Sequence, residues 1–258
     1  MLPSLPGYGF SGEPRARNRR PPRKISFGPM IDDIRLVLFD CDGVLVDTEP
    51  IALAANVELG RRFGWLLTED EAVDLFLGRS AAAIDAQIAE RCGTEAAVQW
   101  RAAFEARLRD EADAHLQPVS GIVEALDAIM PRLATCVASS GSHQKMRHTL
   151  GRTGLYDRFA GRIFSAEDVA HGKPAPDLFL HAAASMGVAP KHCLVVEDSR
   201  HGVRAARAAG MRSFGYAGGL TPAAWLEGLN TVVFEDMLKL PTLLNTQSPP
   251  PIAGIDVA

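Results

Sequence analysis

Short apolar runs along the chain predict buried β-strands, and the clearest are Ile34 to Phe39, the run from Ala134 and the run from Cys193. From Pro118 onward, helical and strand patterns alternate. This alternation predicts an α/β fold with a Rossmann-like parallel sheet, in which ligands bind at the carboxyl ends of the strands. We therefore expect the residues that follow these runs to meet at one edge of the sheet.

The stretch between the first two runs has helical spacing only, with candidate helices at Pro50 to Phe63, Ala82 to Cys92 and Ala96 to Leu116. An insertion at this point leaves the core beside the end of the first strand, where a lid can exclude water and select a substrate. The predicted organisation has these bounds: α/β core 32–47 and 118–245, small helical cap 48–117, N-terminal extension 1–31 and C-terminal tail 246–258.

The two tails differ in composition from the rest of the chain. Pro, Gly and Arg dominate 1–31, which predicts a disordered extension, and successive prolines predict a loose tail at 246–258. A basic extension is also compatible with nucleic-acid or membrane contact. The net charge of -4 gives no reason to expect nucleic acid, and no apolar stretch approaches the ~20 residues of a membrane helix.

Composition otherwise predicts a soluble enzyme, because the fractions of hydrophobic and charged residues are ordinary for globular proteins. The chain of 258 residues is long enough for a main core and a small accessory domain. Its cysteines form no close pair, which predicts buried thiols in a reducing, cytoplasmic compartment. These cysteines are Cys41, Cys92, Cys136 and Cys193. We expect a monomer or weak dimer with no nucleic-acid or membrane partner.

Two aspartates follow the first predicted strand. Asp40 and Asp42 are two residues apart, so their side chains point to the same side, and Gly43 lets the backbone turn away. Such a pair suits metal-assisted phosphoryl transfer, one carboxylate attacking phosphorus and the other moving a proton. The alternative is that both only solvate a loop. The apolar strand before them and the specific residues around them weigh against that alternative.

The second predicted strand ends in small hydroxyl residues. A strand end that leads into a helix presents backbone N–H groups, so Ser140 and Gly141 are candidates to bind phosphate. Ser139 can add a hydroxyl donor. Ser142 is also a good N-cap for the helix that follows, and the two interpretations apply to different serines.

Two further segments add a cation and a pair of acids. Lys173 is followed by Pro174, and a helix can begin at Pro176, so the lysine is a fixed cation that suits a phosphoryl group. Glu197 and Asp198 end another apolar run, where neighbouring carboxylates favour a bound cation such as Mg²⁺. The alternatives are an exposed lysine near a helix start and an N-cap.

Four predicted strand ends thus carry Asp-x-Asp, Ser, Lys and Glu-Asp in this order. Together they resemble the four motifs of the haloacid-dehalogenase-like hydrolases, in the branch of sugar-phosphate phosphatases and β-phosphoglucomutases, over residues 32–240. The resemblance implies a helical cap, Asp40 as nucleophile and Asp42 as general acid/base. It also implies that Ser139 and Lys173 stabilise the phosphate and the aspartyl-phosphate.

The same resemblance implies a Mg²⁺ site. Asp40 and Asp198 would bind the ion through their carboxylates and Asp42 through its backbone carbonyl. Glu197 is either a further ligand or lies just outside the ligands. We also expect Gly43 to contact the phosphate.

The residues favour phosphatase over mutase. The resembling β-phosphoglucomutases have a histidine where this chain has Ala52, and its first histidine is His115. Residues 136–148 look like bacterial phosphatases of sugar-acid phosphates such as 6-phosphogluconate. Arg79 and Lys145 are candidate contacts to a second anionic group, although Arg79 is equally compatible with an exposed surface position.

We therefore expect a Mg²⁺-dependent phosphatase of a small sugar or sugar-acid phosphate. A β-phosphoglucomutase-like phosphomutase is the first alternative, and a non-catalytic phosphate-binding module is the second. A dehalogenase would not need Asp42.

Overall fold

The computed structural model describes residues 34–77, 79 and 81–245. The predicted extension 1–31 and the predicted tail 246–258 lie outside the described residues, as do Gly78 and Ser80 beside Arg79.

Six parallel strands form one sheet in the described part of the chain, in the order β3-β2-β1-β4-β5-β6. β1 pairs with β2 on one side and with β4 on the other. The predicted Rossmann-like parallel sheet is confirmed. The strands are β1 Leu36–Phe39, β2 Ala134–Ser139, β3 Ile163–Ser165, β4 Cys193–Glu197, β5 Arg212–Tyr216 and β6 Thr231–Phe234.

Helices cover both faces of the sheet and form a separate insertion after β1. None of the helices within the described ranges is both long and apolar enough to cross a membrane. The insertion contains α1 Glu49–Arg62, α2 Glu69–Phe76, α3 Ala81–Cys92 and α4 Thr94–His115. The rest are α5 Ile122–Ile129, α6 His143–Arg152, α7 Tyr156–Phe159, α8 Asp177–Ser185, α9 Arg200–Ala208, α10 Ala223–Leu226 and α11 Leu240–Asn245.

The central strand is buried on both faces. Val37 and Phe39 pack in one hydrophobic cluster with α5 and α6, while Leu36 and Leu38 pack in another with α8 and α9. Successive side chains of a strand point to opposite faces, so a strand covered by helices on both sides has to be apolar throughout. Full burial of each leucine or phenylalanine contributes about 1.5–3 kcal/mol, which makes β1 a rigid support for the residues after it.

The insertion has a hydrophobic cluster of its own, centred on Trp100 of α4. Trp100 is 1% exposed, and the rings of Phe63, Trp65 and Phe76 lie between 5.6 and 6.3 Å from it. Its indole N–H donates to Oδ1 of Asn56 at 3.1 Å, so burial leaves no polar group of the ring unpaired. The helices of the insertion therefore pack as a unit beside the sheet.

The insertion leaves and rejoins the sheet domain at adjacent points. The backbone N–H of Asp47 donates to the carbonyl of Gln117 at 3.0 Å, and Val46 forms a bridge with Pro118. The segments that enter and leave the insertion thus run side by side. The exact bounds of core and cap stay a prediction, as do the cytoplasmic location and the monomer or weak dimer.

Candidate active site

The carboxyl ends of three adjacent strands bring predicted site residues together. Asp40 directly follows β1, Ser139 ends β2 and Glu197 ends β4. Because β1 lies between β2 and β4, Asp40 lies between the other two. All three side chains are buried.

A tight loop after β1 turns Asp42 back toward the site. The N–H of Gly43 donates to the carbonyl of Val46 at 2.8 Å, and Gly43 has a φ of 75°, where other residues are strained. A Cβ at this position would also lie 2.1 Å from Oδ2 of Asp198. Glycine is therefore required both by the turn and by the approach of Asp198. Its contact with phosphate stays a prediction.

The position of Lys173 differs from the predicted strand end. β3 ends at Ser165 and α8 begins at Asp177, so Lys173 lies in the long loop between them. The length of the side chain lets its ammonium group reach the site from that loop. Nζ donates to Oδ1 of Asp40 and to Oε2 of Glu197, both at 2.7 Å, and the side chain is 4% exposed.

The buried pair of Asp40 and Lys173 has an excess of negative charge around it. Burial raises the pKa of Asp40 to about 7, and the charge of Glu197 adds to the rise although Lys173 opposes it. Burial alone would lower the pKa of Lys173, but the two carboxylates raise it above its ordinary value. Lys173 is therefore a permanent cation, while Asp40 needs further positive charge to be fully ionised at neutral pH.

Asp42 has the opposite electrostatic character. Nζ of Lys145 donates to its Oδ2 at 2.7 Å, and the hydroxyl of Thr48 donates to its Oδ1 at 2.8 Å. Burial favours the neutral acid, but Lys145 and then Thr48 outweigh it and lower the pKa of Asp42. Lys145, predicted as a contact for a second anionic group, thus forms an ion pair with Asp42 itself.

The loop after β2 lies against this pair. Oγ of Ser139 accepts the N–H of Gly141 at 3.1 Å, and a Cβ on Gly141 would lie 3.8 Å from Oδ2 of Asp42. Ser142 caps α6 by accepting the N–H of Lys145 at 3.2 Å, as predicted. Ser140 is exposed. The binding of phosphate by these residues stays a prediction.

Three buried carboxylates form a group that could hold a metal ion. Oxygen atoms of Asp40, Glu197 and Asp198 all lie within 4.8 Å of one another. Glu197 already has donors on both oxygens, since its Oε1 accepts the N–H and the hydroxyl of Ser199 at 3.1 and 2.6 Å and its Oε2 accepts Lys173. Burial raises the pKa of Asp198 well above its usual value, and the charges of Glu49, Glu197 and Asp40 raise it further. Oxygen donors with this excess of negative charge fit a hard divalent cation such as Mg²⁺.

Two residues of the site were missed by the sequence analysis. Thr48 precedes α1 in the position of an N-cap, yet it makes no side-chain cap and donates to Asp42 instead. Glu49 is buried, and its Oε2 accepts the N–H of Leu220 at 3.1 Å. Thr-Glu-Pro is an ordinary helix start, and this hides both roles. Their position directly after the Asp40 motif was the available signal.

Arg79, the predicted contact for a second anionic group, lies between α2 and α3 of the insertion. Its side chain is exposed. Burial lowers the pKa of His201, and the charges of Arg204, Arg79 and Arg200 lower it further. Arg79 is therefore near the first turn of α9, the helix that follows Asp198. Cys41, between the two aspartates, is fully buried in the core, as predicted.

Known proteins resemble this chain in sequence and in fold. A family model for haloacid dehalogenase-like hydrolases matches residues 34–210. The chain belongs to this family of haloacid dehalogenase-like hydrolases. Its predicted family, and the prediction that it is a hydrolase, are confirmed.

Individual members of the haloacid dehalogenase-like family match over most of their length. The 6-phosphogluconate phosphatase of Escherichia coli strain K12 is 34% identical over 182 residues, which cover 70% of this chain and 81% of the relative. The fructose-1-phosphate phosphatase of the same strain is 31% identical and covered to 92%, over 68% of this chain. A haloacid dehalogenase-like protein of unknown function from Agrobacterium tumefaciens has a crystal structure with a TM-score of 0.73 and 33% identity, covering 83% of this chain and 98% of its own.

Proposed function

We propose that this hydrolase of phosphoric monoesters releases phosphate from a small sugar or sugar-acid phosphate, such as 6-phosphogluconate, with Mg²⁺ as cofactor and Asp40 as nucleophile. One observation carries the proposal. Two carboxylates at the end of one strand are each paired with a different lysine at 2.7 Å, Asp40 with Lys173 and Asp42 with Lys145. The pairing supports separate roles for the two aspartates.

In the first step Asp40 attacks phosphorus and forms an aspartyl-phosphate, and the bond from phosphorus to the sugar oxygen breaks. Asp42 gives a proton to that leaving oxygen. Lys173 stays charged throughout and offsets the negative charge of the transferring phosphoryl group. The bonds that Asp42 makes with Lys145 and Thr48 have to loosen in the substrate complex, because they favour the ionised form.

In the second step water attacks the phosphorus of the aspartyl-phosphate, and the bond to Asp40 breaks. Asp42, now ionised, takes the proton of the water, and inorganic phosphate leaves. The pair with Lys145 suits this half of the reaction, since it favours a carboxylate that accepts a proton.

The fit of Mg²⁺ rests on the cluster of buried acids. Asp40 and Asp198 would hold the ion with the backbone carbonyl of Asp42, and Glu197, whose oxygens have donors already, would support it from outside. Bound there, Mg²⁺ would supply positive charge next to the phosphoryl oxygens.

The class of substrate is supported by two relatives whose names specify 6-phosphogluconate and fructose 1-phosphate. Ala52 stands where the resembling mutases have a histidine, which favours hydrolysis over transfer. Arg79 remains a candidate for contact with a second anionic group.

A panel of phosphorylated metabolites assayed with Mg²⁺ tests the proposal. We expect free phosphate from a sugar or sugar-acid phosphate, with 6-phosphogluconate as the first substrate to try. If β-glucose 1-phosphate with catalytic glucose 1,6-bisphosphate gave glucose 6-phosphate much faster than any substrate gave phosphate, the chain would be a mutase. Binding of phosphate compounds without turnover of any would favour the non-catalytic module.

A further inference from the structure

Glu49 is a buried carboxylate that the steps above do not use. It is the first residue of α1, it is 8% exposed, and its Oε2 accepts the N–H of Leu220 at 3.1 Å. Leu220 lies in the loop after β5, at the same edge of the sheet as Asp40. Glu49 therefore joins the first helix of the insertion to the site.

Two glycines leave the space that this carboxyl group occupies. A Cβ on Gly219 would lie 2.8 Å from Oε2 of Glu49, and a Cβ on Gly43 would lie 3.1 Å from its Cδ. The same Cβ on Gly43 would lie 2.1 Å from Oδ2 of Asp198. The carboxyl groups of Glu49 and Asp198 thus share one packed space beside Gly43.

The charges of this space are not balanced by Lys173. Its ammonium group pairs with Asp40 and Glu197, whereas Glu49 and Asp198 face each other. Two neighbouring carboxyl groups repel when both are ionised, and a cation beside them removes the repulsion. A divalent ion held by Asp198 would therefore also be attracted by Glu49.

We propose that Glu49 is a positioning residue of the cation site, which orients Asp198, strengthens the binding of a divalent ion and couples that binding to the start of α1. This rests on the proposed function, in which Asp198 binds Mg²⁺. Groups that orient metal ligands typically contribute 10–100-fold to metal affinity. Because Glu49 is the first residue of α1, an ion bound at Asp198 would also hold the start of this helix against the sheet.

Isothermal titration calorimetry of the full chain with Mg²⁺ alone tests the coupling without any substrate. We expect Glu49→Gln to raise the Kd for Mg²⁺ about 10–100-fold. Glu58→Gln is the matched control, because Glu58 is an exposed glutamate of the same helix that pairs with Arg107, and its Kd should equal that of the wild type. Gly219→Ala should also raise the Kd for Mg²⁺, since the added methyl group displaces the Glu49 carboxyl without changing its charge.

The outcomes separate this inference from the proposed function. Tight binding to the wild type and equally tight binding to Glu49→Gln would overturn the role of Glu49 and leave the phosphatase proposal intact. Failure of the wild type to bind Mg²⁺ would overturn both. Should the variants not fold, amide hydrogen exchange on the wild type decides the matter: Mg²⁺ should slow exchange in the first turn of α1, and unchanged exchange there would overturn the coupling.

Discussion

At the scale of single residues, the site keeps its two aspartates in different electrostatic states. Burial raises the pKa of Asp40 to about 7, and the charge of Glu197 adds to the rise, although the paired Lys173 opposes it. Asp42 is less enclosed, and Lys145 and Thr48 outweigh the effect of its burial and lower its pKa. Side chains of one type can thus take two tasks because their neighbours differ.

The nucleophile is tested by Asp40→Asn. The amide cannot attack phosphorus, so turnover should fall to background, while the nearly isosteric change should leave the fold intact by circular dichroism and thermal unfolding. Asp127→Asn serves as the control, because Asp127 is exposed and pairs with Arg158, which is not one of the site residues. Sustained phosphate release by purified Asp40→Asn, with deamidation excluded by mass spectrometry, would contradict the assignment.

The pairing of Lys145 with Asp42 predicts a shift in pH dependence. In the wild type the cation lowers the pKa of Asp42, so Lys145→Met should raise that pKa. The limb of the kcat/KM profile that reports Asp42 should therefore move to higher pH in the variant. Profiles of phosphate release against pH measure this, with the exposed Lys191→Met as control. A profile of unchanged position would mean that the contact does not control Asp42.

At the scale of elements, the ends of β1, β2 and β4 could be predicted because a buried parallel strand is apolar throughout and stops abruptly at polar residues. Asp40, Ser139 and Glu197 were located in this way. Lys173 was assigned to a strand end wrongly, since β3 has three residues and a long loop follows it. Glu49 was missed because its burial depends on Gly219, which is distant in the chain, and no local pattern records such a contact.

The insertion is tested as a packed element by Trp100→Ala. Loss of the central ring of its hydrophobic cluster should destabilise it by about 3–5 kcal/mol, the usual effect of removing a buried aromatic side chain. Val98→Ala is the control on the same helix, since Val98 is exposed. Amide exchange should rise in α1 to α4 and stay low in β1 and β4. Equal loss of protection in the sheet would mean that the two clusters do not unfold separately.

At the scale of the whole molecule, the proposed cation contributes to stability as well as to turnover. A ligand that binds only the folded chain stabilises it by about 2.7 kcal/mol at 100 times its Kd. The carboxylates of Asp40, Glu197 and Asp198 are buried together, and Lys173 pairs only with the first two, so their negative charges are not fully balanced. Mg²⁺ should therefore raise the melting temperature of the chain.

Removal of the metal tests this. EDTA should stop phosphate release and lower the melting temperature, and excess Mg²⁺ should restore both. Asp198→Ala should abolish the rise in melting temperature that Mg²⁺ produces, because it removes one of the proposed ligands. Full activity of the wild type in metal-free buffer would sink the metal-dependent mechanism.

The side-by-side connections at Asp47–Gln117 and Val46–Pro118 make the insertion an exchangeable module. Since its two ends already touch, excising it needs only a short splice, and grafting a different helical unit there would not re-thread the sheet. Such a graft would replace the helices of the insertion while the carboxylates of the sheet edge stay in place. Thr48 and Glu49 lie on the boundary of such a graft, so a chimera would have to keep both.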